Sequence, residues 1–185
     1  MKDKMVRWIG TVFMISIPIL FSCASNQSIQ TKQADGFFDL GTRHLQQGDD
    51  DQAISAYNKA LEINPRYVEA YLNRGIAYRR KGQLDQAISD YSAVLLIDSK
   101  DARAYCNRGN AYIEKGQYDK AVFDYNKALE INSKDPQVFF NRGVAYYSIQ
   151  EYDKSWADIK KAQDLGYQIP LDFLADLRKA SGRQK

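Results

Sequence analysis

The chain has little of the chemistry that enzymes need. Among its 185 residues there is only one histidine, His44, and there are only two cysteines, Cys23 and Cys106. Apart from His44, the chain therefore has no histidine that could activate the thiol of Cys106. The sequence also contains no metal-ligand spacing, no phosphate-binding glycine loop and no nucleophile elbow. We expect no catalytic residue, no metal site and no cofactor.

The chain also lacks a large excess of either positive or negative charge. The chain has a formal net charge of +3, from 26 basic and 23 acidic residues. Residues 1–22 hold three of the basic residues and one of the acidic residues, so the remainder has 23 against 22, a net charge of +1. A chain with this balance has no electrostatic basis for binding nucleic acid. We expect no nucleic-acid partner.

The N-terminal segment has the layout of a bacterial secretory signal. Basic residues at its start precede an apolar stretch over 8–21, which leads into Leu20-Phe21-Ser22-Cys23. That ending resembles the lipobox of bacterial lipoproteins, although Phe21 is larger than the residue usually found there. The resemblance implies that residues 1–22 are a cleaved signal peptide and that Cys23 carries the lipid. An uncleaved anchor is the alternative, but a spanning helix needs about 20 mainly apolar residues, and the stretch after Cys23 is polar.

Lipidation at Cys23 would attach the mature protein to a membrane. The sequence does not decide between the inner and the outer membrane. In a Gram-negative source, Ala24 after the cysteine would resemble sorting to the periplasmic face of the outer membrane. The segment 23–33 consists of the lipidated cysteine and polar residues without a sustained apolar period. We expect this segment to be a polar tether.

An internal repeat occupies most of the remaining chain. Four glycines stand at equal intervals: Gly41, Gly75, Gly109 and Gly143. Nearly the same amino-acid sequence surrounds the last three of them. The three copies read Tyr71-Leu72-Asn73-Arg74-Gly75-Ile76-Ala77-Tyr78, Tyr105-Cys106-Asn107-Arg108-Gly109-Asn110-Ala111-Tyr112 and Phe139-Phe140-Asn141-Arg142-Gly143-Val144-Ala145-Tyr146. Apolar residues recur at i, i+3, i+4 and i+7, which predicts two amphipathic helices in each copy.

The interval of the glycines and the pattern around them resemble the tetratricopeptide repeat (TPR) family. The resemblance implies an all-α fold, an α-solenoid of about four helix-turn-helix repeats at 34–67, 68–101, 102–135 and 136–169. One copy cannot bury its own apolar face, so neighbouring copies stack and the last copy needs a polar cap. We expect residues 170–185 to form that capping helix and the tail.

Two positions of the repeat change together. The first copy has Leu40 at position 7 and Ala56 at position 23, whereas the other copies have arginine and aspartate there. These pairs are Arg74 with Asp90, Arg108 with Asp124, and Arg142 with Asp158. An arginine on a buried stripe is costly without a partner, and its planar group suits a carboxylate. We hypothesise that each repeat pairs its own arginine and aspartate as a structural ion pair.

In proteins of the TPR family, the first helix of each repeat lines a concave groove. The matching positions here imply a partner-binding groove made of Leu72, Asn73, Ile76, Cys106, Asn107, Asn110, Phe140, Asn141, Val144 and Tyr147. Leu72, Cys106 and Phe140 occupy the same position in successive repeats, which predicts one apolar row suited to an extended or helical peptide. The asparagines beside that row resemble an amide ladder that grips a ligand's backbone, but asparagine is also ordinary family consensus there.

The resemblance implies a membrane-anchored, non-enzymatic scaffold or adaptor that binds a protein or a peptide. The carboxylate clamp of the heat-shock chaperone adaptors does not fit, because Phe38 or Leu72 occupies its first lysine position. Two alternatives stay open. One is an accessory structural subunit of an envelope assembly, such as pilus biogenesis or the peptidoglycan machinery. The other is a glycan-binding module based on the groove aromatics Phe140 and Tyr147.

Overall fold

The structure is a computed structural model that describes residues 28–183. Within this range the chain forms nine helices and no strand. Helix α1 covers residues 28–47 of the described chain. The other helices are α2 (Asp50–Ile63), α3 (Val68–Arg80), α4 (Leu84–Ile97), α5 (Ala102–Glu114), α6 (Tyr118–Ile131), α7 (Pro136–Ser148), α8 (Tyr152–Asp164) and α9 (Leu171–Ser181).

The helices pack in series as an α-solenoid, as the sequence predicted. Helices α3, α5 and α7 begin at equal intervals, and α2, α4, α6 and α8 begin at the same interval from one another, so the period of the sequence is also the period of the fold. Each helix from α2 onward contacts the next one, and α5 also contacts both α3 and α7, the first helices of the pairs on either side. This arrangement places the first helices side by side along one surface.

A residue in the left-handed backbone conformation, with a positive φ, follows the first helix of each pair. Gly82 has a φ of +71° after α3, a conformation that glycine adopts at little cost. In the last pair the same position holds Gln150, which adopts a φ of +63° in spite of its side chain. The turn geometry is therefore kept even where the sequence does not favour it.

The core of each hairpin is a large side chain pressed against a glycine. A Cβ atom added to Gly75 would lie 2.6 Å from Cε1 of Tyr91, and Gly109 is related to Tyr125 in the same way. Both tyrosines are almost completely buried. These glycines are therefore fixed by packing against the ring of the second helix rather than by a turn.

Helix α9 closes the C-terminal end of the stack. Its Leu174 and Leu177 are buried, whereas Leu171 is 81% exposed and does not belong to the packed stripe. The indole Nε1 of Trp156 donates to Ser181 Oγ at 3.0 Å, and Arg183 Nη2 donates to Asp153 at 2.7 Å. The buried leucines and these polar contacts hold α9 on α8.

The described part of the expected polar tether is not an irregular linker. Residues 28–33 are helical and extend α1 beyond the first repeat, because nothing in this polar stretch breaks a helix. The signal peptide 1–22, the lipid site Cys23 and residues 24–27 lie outside the described residues. Between residues 28 and 183, no helix is long and apolar enough to cross a membrane.

Candidate partner-binding groove

The arginine and aspartate of each later repeat form a two-point ion pair across the two helices of that repeat. Arg108 Nε and Nη2 donate to the two carboxylate oxygens of Asp124, both at 2.8 Å. Arg74 makes the same pair with Asp90 at 2.8 and 2.6 Å. Arg142 and Asp158 repeat it with both distances at 2.7 Å. The pairing is thus within one repeat, the arrangement that the coupled exchange suggested.

The same arginines also reach the preceding repeat, a contact that the sequence did not reveal. Arg108 Nη1 donates to Ser92 Oγ at 3.0 Å, and Arg142 Nη1 donates to Asn126 Oδ1 at 2.6 Å. Arg74 Nη1 likewise donates to Asn58 Oδ1 at 2.6 Å. Hydrogen bonding to Asp124 raises the pKa of Arg108, so this guanidinium stays charged. The first repeat has no described neighbour on that side, and it has a leucine at this position.

Leu72 is not part of an exposed groove, and this sequence prediction was wrong. Its side chain is only 3% exposed and belongs to a core cluster with Tyr91 and Val94. Ala104 of the next repeat is part of the same cluster. The branched side chain of Leu72 fills the space between two repeats instead of facing water. Ile76, one turn further along α3, is half-buried.

Cys106 is half-buried and packs against the core of the third and fourth repeats, which includes Tyr125 and Val138. Burial raises the pKa of its thiol to about 11. A thiol with so high a pKa contains very little of the nucleophilic thiolate at neutral pH. The described residues contain no group of histidine, cysteine and acidic side chains that could hold a metal ion.

The aromatic residues at the C-terminal end of the groove are covered by the cap. Phe140 stacks on Tyr167, with ring centroids 5.0 Å apart, and meets the edge of Phe173 at 5.6 Å. Tyr147 also contacts Phe173 edge to face, at 5.5 Å. One face of the Phe140 ring is therefore occupied from within the chain. The predicted row of Leu72, Cys106 and Phe140 is not a continuous apolar strip in contact with water.

A concave depression of about 330 Å³ lies between the second, third and fourth repeats. It is lined by Arg79, Asn110, Ile113, Glu114, Tyr125, Gln137, Phe140, Asn141 and Val144. Four of the predicted groove residues are among them: Asn110, Phe140, Asn141 and Val144. Arg79 and Glu114 line the rim as an ion pair, with Nη1 2.6 Å from Oε1. The depression thus combines apolar and amide groups with a charge pair that is neutral overall.

Two amide side chains in this depression are oriented by a buried tyrosine. The hydroxyl of Tyr125 donates to Asn110 Oδ1 at 2.7 Å, and Asn141 Nδ2 donates to the same oxygen at 2.9 Å. The Nδ2 group of Asn110 and the Oδ1 atom of Asn141 make no hydrogen bond with the described residues. One donor and one acceptor are therefore left for a ligand, and these can pair with a carbonyl and an N–H group of a peptide backbone.

The other two asparagines of the predicted ladder have different surroundings. Asn73 lies near the hydroxyl of Tyr57. Burial raises the pKa of this tyrosine, and the hydrogen bond with Asn73 offsets part of that rise. Asn107 lines a second depression of about 300 Å³ together with Cys106 and Asp135. Only Asn141 joins the network of Tyr125 and Asn110. The structure places the three asparagines in three local sites.

The predicted groove residues did not include five of the side chains that line the main depression: Arg79, Ile113, Glu114, Tyr125 and Gln137. Arg79 and Glu114 come from different repeats and occupy different positions of the repeat. A comparison of equivalent positions cannot detect such a pair, because the two residues never align. Their opposite charges, on helices α3 and α5, were a signal in the sequence that such a comparison does not use.

The fold and the groove define a helical-repeat protein with a concave surface. A model described as TPR repeat matches residues 41–82, 75–116 and 109–150, which together cover more than half of the chain. The chain belongs to the tetratricopeptide repeat family. Proteins of this family are generally non-catalytic interaction scaffolds.

Solved structures show the same fold. MamA is 24% identical, with a TM-score of 0.72 over 82% of this chain and 84% of MamA. PilF of Pseudomonas aeruginosa is 25% identical, with a TM-score of 0.72 over 83% of this chain and 71% of PilF. The first TPR of Spaghetti (RPAP3), solved with an HSP90 peptide, is 24% identical, with a TM-score of 0.63 over 64% of this chain and 94% of that one. None of the curated proteins matches the chain significantly.

Proposed function

We propose that the chain is a membrane-anchored, non-enzymatic scaffold that binds a partner peptide or helix in the concave depression between the second, third and fourth repeats. The observation that carries this proposal is the pair of amides at Asn110 and Asn141. A buried hydroxyl fixes their orientation and leaves a donor and an acceptor free beside apolar groups. A ligand backbone can bond to both groups, and the fixed orientation of the amides reduces the entropy lost when it does so.

The partner best suited to this site has a stretch of uncharged backbone next to one apolar side chain. Ile113 and Val144 supply the apolar wall, and the amides supply the contacts for the backbone. Arg79 and Glu114 already neutralise each other across the rim. An additional charge on the ligand would therefore gain little from either residue. This chemistry favours a protein segment over a nucleic acid.

The structure gives less support to glycan binding. Sugar rings stack on open aromatic faces, and the face of Phe140 toward the cap is taken by Tyr167. Tyr147 is in edge contact with Phe173. The two aromatic residues that suggested a glycan site are thus used in packing against the cap.

The anchoring part of the proposal depends on Cys23, outside the described residues. The cysteine follows a basic start and an apolar stretch, and the sequence around it resembles a lipobox. A Cys23→Ser variant should lose labelling by radioactive palmitate and leave the membrane fraction, or accumulate as the full-length precursor. Labelling that survives this change, or a membrane form that keeps Met1, would show that Cys23 is not the lipid site.

A photoreactive side chain inside the depression tests the binding part. Gln137 and Val144 both line the depression and do not belong to the buried core. A photoreactive residue at either position should crosslink one discrete partner in intact membranes. The matched control is the same residue at position 123 in α6, where Phe123 is 57% exposed. If position 123 captures the same partner and positions 137 and 144 do not, the binding surface is elsewhere.

A further inference from the structure

The first helix has a face that no part of the described chain covers. Ile29, Lys32, Gln33, Gly36, Leu40 and Arg43 are all exposed, and their spacing along α1 places them on one side of the helix. We refer to these six residues as the outer face of α1. Ile29 is 62% exposed and Leu40 is 37% exposed, so the two large apolar side chains of this face are open to solvent in the described chain.

In the later repeats, the preceding repeat covers the equivalent face. Ala70 and Ala104 occupy the position of Gly36 and are fully buried, whereas a Cβ atom on Gly36 would have no neighbour within 4 Å. Arg74 occupies the position of Leu40 and bonds back to Asn58 of the first repeat. Among the described residues, nothing therefore covers the outer face of α1, and this face also lacks the arginine that makes a polar contact with another repeat.

The charged residues on this face are both basic. Lys32 and Arg43 form no ion pair with the described residues. The two aspartates of α1 lie on the side of Tyr67, where Asp35 accepts a hydrogen bond from the Tyr67 hydroxyl at 2.9 Å. The charges of Asp35 and Asp39 also help burial to raise the pKa of Tyr67 to about 12. Apolar and basic side chains on one helical face suit an interface with anionic lipid.

The position of Cys23 brings this face close to a membrane. Ser28 begins the described part of α1, so only residues 24–27 separate it from the proposed lipid site. A fully extended chain spans about 3.3–3.6 Å per residue, so Ser28 lies within roughly 18 Å of Cys23 whatever conformation these residues adopt. Ile29 and Lys32 follow within the next turn or so of helix. A lipid on Cys23 would therefore keep the start of α1 within that distance of the membrane surface.

We propose that the outer face of α1 rests on the anionic surface of the bilayer and orients the solenoid on the membrane. This inference depends on the proposed lipid anchor but not on the binding groove. Leu40 and Ile29 insert at the level of the headgroups, while Lys32 and Arg43 bind lipid phosphates. The concave depression, which lies in the later repeats, is then held away from the lipid and accessible to a partner.

The test uses the full chain, processed and lipidated in bacteria, in a Cys106→Ser background. Gln33→Cys is labelled with a polarity-sensitive fluorophore, and Lys179→Cys on α9 carries the same label as the distant control. The protein is reconstituted in vesicles of phosphatidylethanolamine with a quarter phosphatidylglycerol. Quenching by nitroxide-labelled lipid should be at least about threefold stronger at position 33 than at position 179, because an interfacial helix lies within about 5–10 Å of the acyl boundary.

Charge reversal supplies the matched comparison. Lys32→Glu with Arg43→Glu should remove most of the quenching at position 33, whereas Arg178→Glu with Lys179→Glu, the same change at the other end, should leave it unaltered. Quenching that is equal at both labels, or that survives the first reversal, overturns the proposal. Shielding of position 33 that persists in detergent and rises with protein concentration would assign the face to a second copy and also overturn it.

The same experiment separates failure of the anchor from failure of this inference. Protein that does not float with the vesicles lacks the lipid, which would contradict the proposed anchoring together with the orientation. Protein that floats but shows no preferential quenching at position 33 keeps its anchor, and only the orientation is then wrong. Partner capture in the groove is measured separately, and the outcome for the orientation does not decide it.

Discussion

Arg108 lies at the junction of two repeats and contacts both of them. It forms a two-point ion pair with Asp124 of its own repeat and donates a third hydrogen bond to Ser92 of the preceding repeat. The side chain of Asp124 is only 1% exposed, so its charge depends on this partner. The arginine therefore holds its own hairpin together and also links that hairpin to the one before it.

Removal of Arg108 alone should destabilise the chain more than removal of the whole pair. Arg108→Leu leaves the buried carboxylate of Asp124 without a partner, which should cost about 3 kcal/mol of unfolding free energy. Arg108→Leu with Asp124→Ala reproduces the Leu40 and Ala56 combination of the first repeat and should recover more than half of that loss. Denaturant midpoints measure both effects. Lys127→Ala, which breaks a pair on the surface, is the control and should not move the midpoint.

Equal losses for the single and the double variant would contradict the ion-pair account. They would mean that the coupled exchange in the sequence is inherited without an energetic link between the two residues.

Gln150→Gly should stabilise the chain. Gln150 has a φ of +63°, where earlier repeats have glycine. Relief of this left-handed strain should add about 0.5–1 kcal/mol to the free energy of unfolding and raise the melting temperature. Gly82→Gln is the reciprocal change and should lower stability by a similar amount. A lower melting temperature for Gln150→Gly would show that the Gln150 side chain makes a contribution that outweighs the strain.

Gly75→Ala should destabilise the chain, although alanine favours helices. The new Cβ would lie 2.6 Å from a ring carbon of Tyr91, and a buried ring cannot yield easily. Overpacking of this kind costs about 1–3 kcal/mol. Gly36→Ala on the open face of α1 is the matched control and should gain about 0.5–1 kcal/mol. Chemical denaturation measures both, and a stabilised Gly75→Ala variant would refute the packing account.

Cys106 should alkylate slowly and only at high pH. Its pKa rises from 9.0 to about 11, which lowers the thiolate fraction at pH 8 about a hundredfold. The rate with iodoacetamide should keep increasing about tenfold per pH unit up to pH 10 or above in the folded chain, while the urea-unfolded chain levels off near pH 9. Mass spectrometry of the labelled Cys106 peptide follows the reaction. A folded chain that levels off at pH 9 would show an accessible, ordinary thiol.

The period of the chain determines the features that could be predicted from its sequence. The all-α solenoid follows from glycines and apolar stripes that recur at the same positions in every repeat, because identical positions pack identically. The partnership of Arg108 and Asp124 could be inferred for the same reason, since both residues change together between copies. These inferences concern contacts within one repeat.

Features that depend on the ends of the solenoid, or on differences between one junction of repeats and the next, could not be predicted. Leu72 is buried although Cys106, at the same position of the next repeat, is half-buried, because the packing between repeats differs at each junction. Phe140 and Tyr147 are covered by Tyr167 and Phe173, which lie at the end of the last repeat and in the cap. The amide network that includes Asn110 exists once, since Thr42, Ile76 and Val144 replace that asparagine elsewhere.

The depression around Asn141 and Val144 is the proposed binding site for a partner. The most direct measurement is the affinity of the crosslinked partner, once purified, for the wild-type chain, for Asn141→Ala with Val144→Ser, and for the control Phe123→Ser outside the depression. The double change should weaken binding at least about thirtyfold, the loss expected for a central contact worth about 2 kcal/mol, with helicity retained. Phe123→Ser should bind like the wild type. Equal affinity for all three proteins would contradict the account.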